Sequence, residues 1–134
     1  MIGVLVFPDF QLLDASGPIS VFEIASRFAG TPASIRVLAE VAGGVRSSSG
    51  VEMLARSLRS AGSLSTLIVA GGEGVIAASR SAKLLAFVRA AERRGVRFAS
   101  VCSGAYILAE AAMRSCFRVV NDGSFAQYGF EIAH

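Results

Sequence analysis

Apolar residues come along this chain in two rhythms, short solid runs and longer stretches with apolar positions three or four apart. The solid runs Ile2 to Phe7, Ser34 to Glu40, Thr66 to Ala70 and Val96 to Val101 predict buried strands. The spaced stretches predict helices. The clearest is Ser81 to Arg94, where Leu84, Leu85, Phe87, Val88 and Ala91 share one face and Gly95 stands where a left-handed cap is expected. Pro18 to Phe28 predicts another, with Ser16 or Gly17 as its cap and Pro18 suited to the first turn. Between them, "GGVRSSSGVEML" reads as a turn joining two short extended pieces. Towards the end the pattern predicts a helix over Ser103 to Ala112, a strand over Phe117 to Val120 and the start of a helix at Ser124. Strand and helix alternating in this way predict an α/β domain, a mostly parallel sheet covered by helices on both faces.

Composition narrows the picture. A chain of 134 residues is one domain by length, and 53% apolar residues can fill a real core. No apolar run is long enough to span a bilayer, and the opening "MIGVLVFPDF" has neither a basic leader nor a small-residue cleavage site. The expectation is a cytoplasmic protein with no membrane partner. Two cysteines and one histidine make neither a disulfide framework nor a zinc-ligand pattern, so no metal and no cofactor are expected. The net charge of +3 comes from scattered arginines. Their densest group, Arg89, Arg93, Arg94 and Arg97, straddles a helix end and reads as a solvated face rather than a nucleic-acid surface.

Open α/β sheets bind ligands at the carboxyl ends of their strands, which directs attention to Pro8 to Asp14, Gly71 to Gly74, Cys102 to Gly104 and Asn121 to Gly123. Cys102 falls where a strand runs straight into a helix, with Ser100 two residues before it and Gly104 two after. Small residues at those places suit a nucleophile elbow, and a helix start favours the thiolate, the nucleophilic form. The bland alternative is a buried cysteine acting as a small hydrophobe. Gly71 and Gly72 make a tight turn or, beyond that, bring backbone N–H groups close to a ligand, where they and the N–H of Ser103 could hold an oxyanion. Neither GxxxxGK[ST] nor GxGxxG follows the first strand, which disfavours phosphate and dinucleotides. Asp14, in "LLDASGP", is either a turn residue or a site residue. Cys116 has no elbow around it and reads as filler.

Together "GVLVFPDFQLLDASGPISVFEIA", "LIVAGGEG" and "VCSGAYILAEA" resemble the PfpI-type superfamily, whose members have a class I glutamine amidotransferase-like fold. Within it the chain is most similar to the amidotransferase-like N-terminal domain of AraC/GlxA-type transcriptional regulators. The resemblance is close over residues 1–112 and looser over 113–134, so that 1–134 reads as one PfpI-type domain. It implies a three-layer, flavodoxin-like sandwich. It also implies that Cys102 is the elbow cysteine, that Asp14 is the acidic residue approaching it, that Gly72 is the backbone oxyanion position, and that Ser103 is the small hydroxyl residue following the cysteine. A protonated Asp14 carboxyl bonded to the thiolate would carry a raised pKa. Asp122 stands where relatives often have histidine, which makes it a pocket residue and leaves the cysteine without that base. The chain is also expected to lack the last strands and helices of the complete domain.

Three functions follow as expectations. The first is the ligand-sensing, dimerising domain of an AraC-type regulator, with Cys102 and Asp14 lining a small-molecule pocket and DNA bound only through a separate C-terminal helix-turn-helix module absent from this chain. The second is a stand-alone cysteine hydratase or hydrolase acting on an isonitrile-like or reactive-carbonyl substrate, with Cys102, Asp14 and Ser103 as its catalytic set and Gly71 and Gly72 as its oxyanion donors. The third is a redox sensor in which Cys102 is oxidised. A homodimer is expected, because the superfamily commonly dimerises and an incomplete apolar domain leaves a patch in need of cover.

Overall fold

The computed structural model describes residues 1–111 of the chain. The strands predicted at Phe117 to Val120, the helix start at Ser124, and the residues Cys116 and Asp122 lie outside the described residues. Six strands form one sheet: β1 (Ile2–Leu5), β2 (Ile35–Ala39), β3 (Gly43–Arg46), β4 (Glu52–Ser57), β5 (Thr66–Val69) and β6 (Arg97–Ser100). Their order is β3-β4-β2-β1-β5-β6. All neighbours run parallel except β3 and β4, which are the two extended pieces of the Ser-rich turn paired as an antiparallel hairpin.

The four helices are α1 (Leu12–Ala29), α2 (Val75–Ser79), α3 (Ala82–Arg93) and α4 (Ala105–Glu110). From β1 the chain steps one way along the sheet through α1 to β2, and from β5 it steps the other way through α3 to β6. Right-handed crossovers therefore place α1 and α3 on opposite faces. Helices α2 and α4 pack with α3, and α1 packs on β1. The result is the expected three-layer α/β sandwich, with Leu5, Leu38, Leu67 and Val69 of the sheet fully buried between the layers.

α3 forms as its periodicity predicts. The Ser81 hydroxyl accepts the Leu84 N–H at 3.2 Å as N-cap, and Gly95 takes φ 74° just beyond the end. α1 departs from expectation. It begins at Leu12 behind Gln11, six residues before Pro18, so neither Ser16 nor Gly17 is its cap. Proline in a helix interior removes a backbone hydrogen bond. Here Leu12, Ala15 and Ile19 lie on one helical face and pack against the core, and that tertiary packing outweighs the local stop signal. The short α2 was hidden by the glycines before it.

Arg89 also differs from the solvated cation expected of it. Its Nε donates to the Ala111 carbonyl at 3.2 Å and its Nη2 to the Glu110 carbonyl at 3.3 Å. It satisfies two orphan carbonyls at the end of α4, as a cation near a helix C-terminus can.

Glycine is required where the loop after β5 crosses the loop after β1. A Cβ on Gly74 would fall on the Pro8 carbonyl oxygen, whereas one on Gly17 would meet nothing closer than Leu13 Cδ1 at 4.0 Å. Gly74→Ala is therefore expected to cost roughly 1–3 kcal/mol or more. Gly17→Ala, in the middle of α1, should gain about 0.5–1 kcal/mol. Urea unfolding of both variants checks the pair, and equal midpoints would contradict it.

Candidate functional site

The site is built where three loops meet at the carboxyl edge of the sheet. Because β5 lies between β1 and β6, the segments that follow these three strands become neighbours. Hydrogen bonds tie the first two together: Gln11 N–H donates to the Gly71 carbonyl at 2.8 Å, and Gly74 N–H donates to the Asp9 carbonyl at 3.1 Å. Asp9 takes φ 60° to make that approach, and its N–H donates to the Arg46 carbonyl at 2.9 Å. Aspartate is one of the few side chains that tolerate this left-handed conformation. Asp9 lies in the stretch after the first strand, where the pattern of residues assigns it no role of its own. The Pro8–Asp9 dipeptide, a turn signal directly after a strand, was the available clue.

The third segment is the elbow. The Val101 N–H still pairs with the Val69 carbonyl at 2.9 Å, and the chain then turns through a short 3-10 turn, Cys102–Gly104, into α4. Cys102 takes φ 51° and is exposed. A non-glycine residue at positive φ is strained, and such residues cluster at functional sites. Gly104 permits the turn, since a Cβ there would strike the Val69 carbonyl oxygen and come within 2.7 Å of that of Ala70. The small residue two after the cysteine thus has the steric reason the sequence suggested. The helix that follows, with six residues, is shorter than the predicted one.

Asp14, Gly71, Gly72 and Ser103 are brought together. Asp14 sits in the first turn of α1 and is buried, with 8% of its surface exposed. Its Oδ2 accepts the Gly71 N–H at 3.1 Å, and the Ser103 Oγ accepts the Gly72 N–H at 3.0 Å. A Cβ on Gly71 would lie 2.8 Å from the Ser103 nitrogen and 2.9 Å from both Asp14 Oδ2 and Ser103 Oγ, so only glycine fits between them. The glycine pair therefore spends its amides on the protein itself in the structure. Among the described residues no hydrogen bond reaches the Cys102 thiol, from Asp14 or from any other group. No cluster of potential metal ligands occurs among the described residues.

Beside Asp14 an open apolar groove of about 550 Å³ runs between α1 and the β5–β6 part of the sheet, lined by Leu13, Val21, Phe22, Ile68 and Val101. A smaller hollow of about 360 Å³, near Gly62, Phe87 and Arg94, contains none of the site residues.

Burial raises the Asp14 pKa, and the Gly71 N–H pulls it back only in part. A carboxyl whose folded value exceeds its unfolded one binds its proton more tightly when folded. Its contribution to stability is complete below the unfolded value and is lost as pH rises through the folded one. Thermal unfolding across the acid range is expected to show this loss in the native chain. Asp14→Asn keeps an acceptor for Gly71 without the titration, so the loss should vanish, and an identical pH profile in the two proteins would refute it.

Comparison with known proteins agrees with this fold. The sequence model of the DJ-1/PfpI family matches residues 1–119. A Streptomyces lividans protein, described as an uncharacterized protein in the cpoL 5′ region, is 37% identical over 111 residues, covering 82% of this chain and 78% of its own. The crystal structure of a ThiJ/PfpI family protein from Pseudomonas syringae is similar with a TM-score of 0.71 and 30% identity, over 84% of this chain. This chain spans only 46% of that one. An AraC family transcriptional regulator from Pseudomonas putida shares the fold with a TM-score of 0.70 at 19% identity, covering 83% of this chain and 69% of its own. With its central parallel sheet, its glycine pair and its elbow cysteine, the chain belongs to the DJ-1/PfpI family.

Proposed function

We propose that the chain is the ligand-sensing and dimerising domain of an AraC-type transcriptional regulator, which reads DNA through a separate C-terminal helix-turn-helix module. The observation that carries this reading is that the site is bonded to itself. Asp14 and Ser103 each take one glycine amide, and among the described residues Asp14 makes no hydrogen bond to Cys102. The open apolar groove beside Asp14, with one buried carboxyl at its wall, supports the binding of a small molecule there. The fold shared with the P. putida regulator supports the same reading, as one fold among many functions.

Dimerisation has its own support in α1. Leu13, Val21, Ile24 and Phe28 expose between 48% and 90% of their surface along this one helix. A contiguous apolar stripe of that kind is a recognition surface more often than a free one.

A second reading is favoured by one observation, the strained, exposed Cys102 at the elbow. In it the chain is a thiol hydratase or hydrolase: Cys102 attacks the electrophilic carbon of an isonitrile-like or carbonyl substrate, Asp14 passes a proton, and loop amides hold the developing charge. The redox-sensor reading uses the same exposed thiol.

The regulator reading predicts that the protein isolated from its own cells is larger than this chain, is retained on a specific DNA fragment, and has twice its chain mass by light scattering. A native protein that ends at His134, stays monomeric at high concentration and retains no DNA would overturn it. The enzyme reading predicts substrate turnover that disappears in Cys102→Ala, and turnover unchanged in that variant would dispose of it.

A further inference from the structure

The Gly72 amide, the oxyanion position that the family resemblance implies, donates in the structure to the Ser103 hydroxyl oxygen at 3.0 Å. We propose that Ser103 is a gate: its side chain closes the Gly72 N–H against oxyanions in the resting site and opens it by rotating away. Such a gate decides which groups the site admits, which goes beyond both readings and holds whether the domain senses or catalyses.

A backbone N–H has one proton, and while Oγ accepts it an oxyanion placed there would meet oxygen lone pairs rather than a donor. The amide cannot move to find another partner. Gly72 is held at φ 134°, with a Cβ position pressed on the Gln11 nitrogen and 2.7 Å from the Asp9 carbonyl oxygen. Its neighbour Gly71 is fixed at both ends, by Asp14 on its N–H and by Gln11 on its carbonyl. The loop is rigid and the serine side chain, with a single rotatable bond to its oxygen, is the part that can turn. Rotation gives up one ordinary neutral hydrogen bond, a cost that a charge-assisted bond from Gly72 to an anion exceeds. Ser103 also follows directly after the exposed Cys102, so an anion admitted here lies beside the thiol's own segment.

This gives a site whose anion selectivity is set by one side chain. With the hydroxyl present the site favours neutral groups, and without it the fixed amide is open to a carboxylate-sized anion.

Alkylation of Cys102 in the full chain tests this with two probes of similar size, neutral iodoacetamide and anionic iodoacetate. In each, the cysteine sulfur forms a bond to the methylene carbon, the carbon–iodine bond breaks, iodide leaves with the electron pair, and the thiol proton passes to solvent. Peptide mass spectrometry reads both rates, with Cys116 as internal control. The expected result is that Ser103→Ala raises the iodoacetate-to-iodoacetamide rate ratio at Cys102 about fivefold, the size of one net hydrogen bond. Ser103→Thr keeps the hydroxyl and should keep the native ratio, and the ratio at Cys116 should not move in any variant. Should Ser103→Ala fail to fold, Ser103→Thr against Ser103→Val isolates the hydroxyl at nearly constant shape. A hydroxyl that serves stability alone lowers the melting temperature and leaves the ratio unchanged. That outcome overturns the gate, and so does a Cys102 that neither reagent reaches.

Discussion

Two backbone amides hold this site in its shape. The Gly71 N–H reaches Asp14 on α1, and the Gly72 N–H reaches Ser103 at the start of the elbow. One dipeptide at the end of a central strand thereby fixes the entry to α1, on one face of the sheet, and the entry to α4, packed with the helices of the other. The arrangement demands glycine for a steric reason: at Gly71 the serine nitrogen, the serine oxygen and the aspartate oxygen leave no space for a Cβ. It also demands burial of a carboxyl. Asp14 trades solvation for one backbone hydrogen bond, which leaves its proton held more tightly than in water.

The sequence carried most of the frame openly, because strands and helices that are decided by their own pattern can be read from it. α3 is such an element, with a serine cap, an apolar face and a glycine stop all agreeing. α1 was legible only in its second half. Its start is decided by Leu12, Ala15 and Ile19 meeting the core, and Pro18, a strong local signal, pointed to the wrong boundary. The candidate site divides in the same way. Glycines and small residues at strand ends were visible, and Gly71, Gly72 and Gly104 prove sterically necessary. What those glycines donate to was not visible, since the partners Asp14 and Ser103 stand 57 and 31 residues away in sequence. Arg89 was misjudged for that reason too: nothing in its neighbourhood of charges announces the carbonyls of Glu110 and Ala111.

Membership of the DJ-1/PfpI family gives the chain its fold and leaves the use of the cysteine and the glycine pair undecided. In this chain the Gly72 amide is held by close packing on Gln11 and Asp9, and the residue after the elbow cysteine supplies its acceptor. Both amides of the glycine pair at this edge have a partner within the protein, and buried donors without partners are costly. The strain at Cys102 and Asp9 is sustained by the same bonds, which hold the three loops in register without a ligand. Under the proposed gate, a ligand is selected by what it offers the glycine amide in place of the Ser103 oxygen.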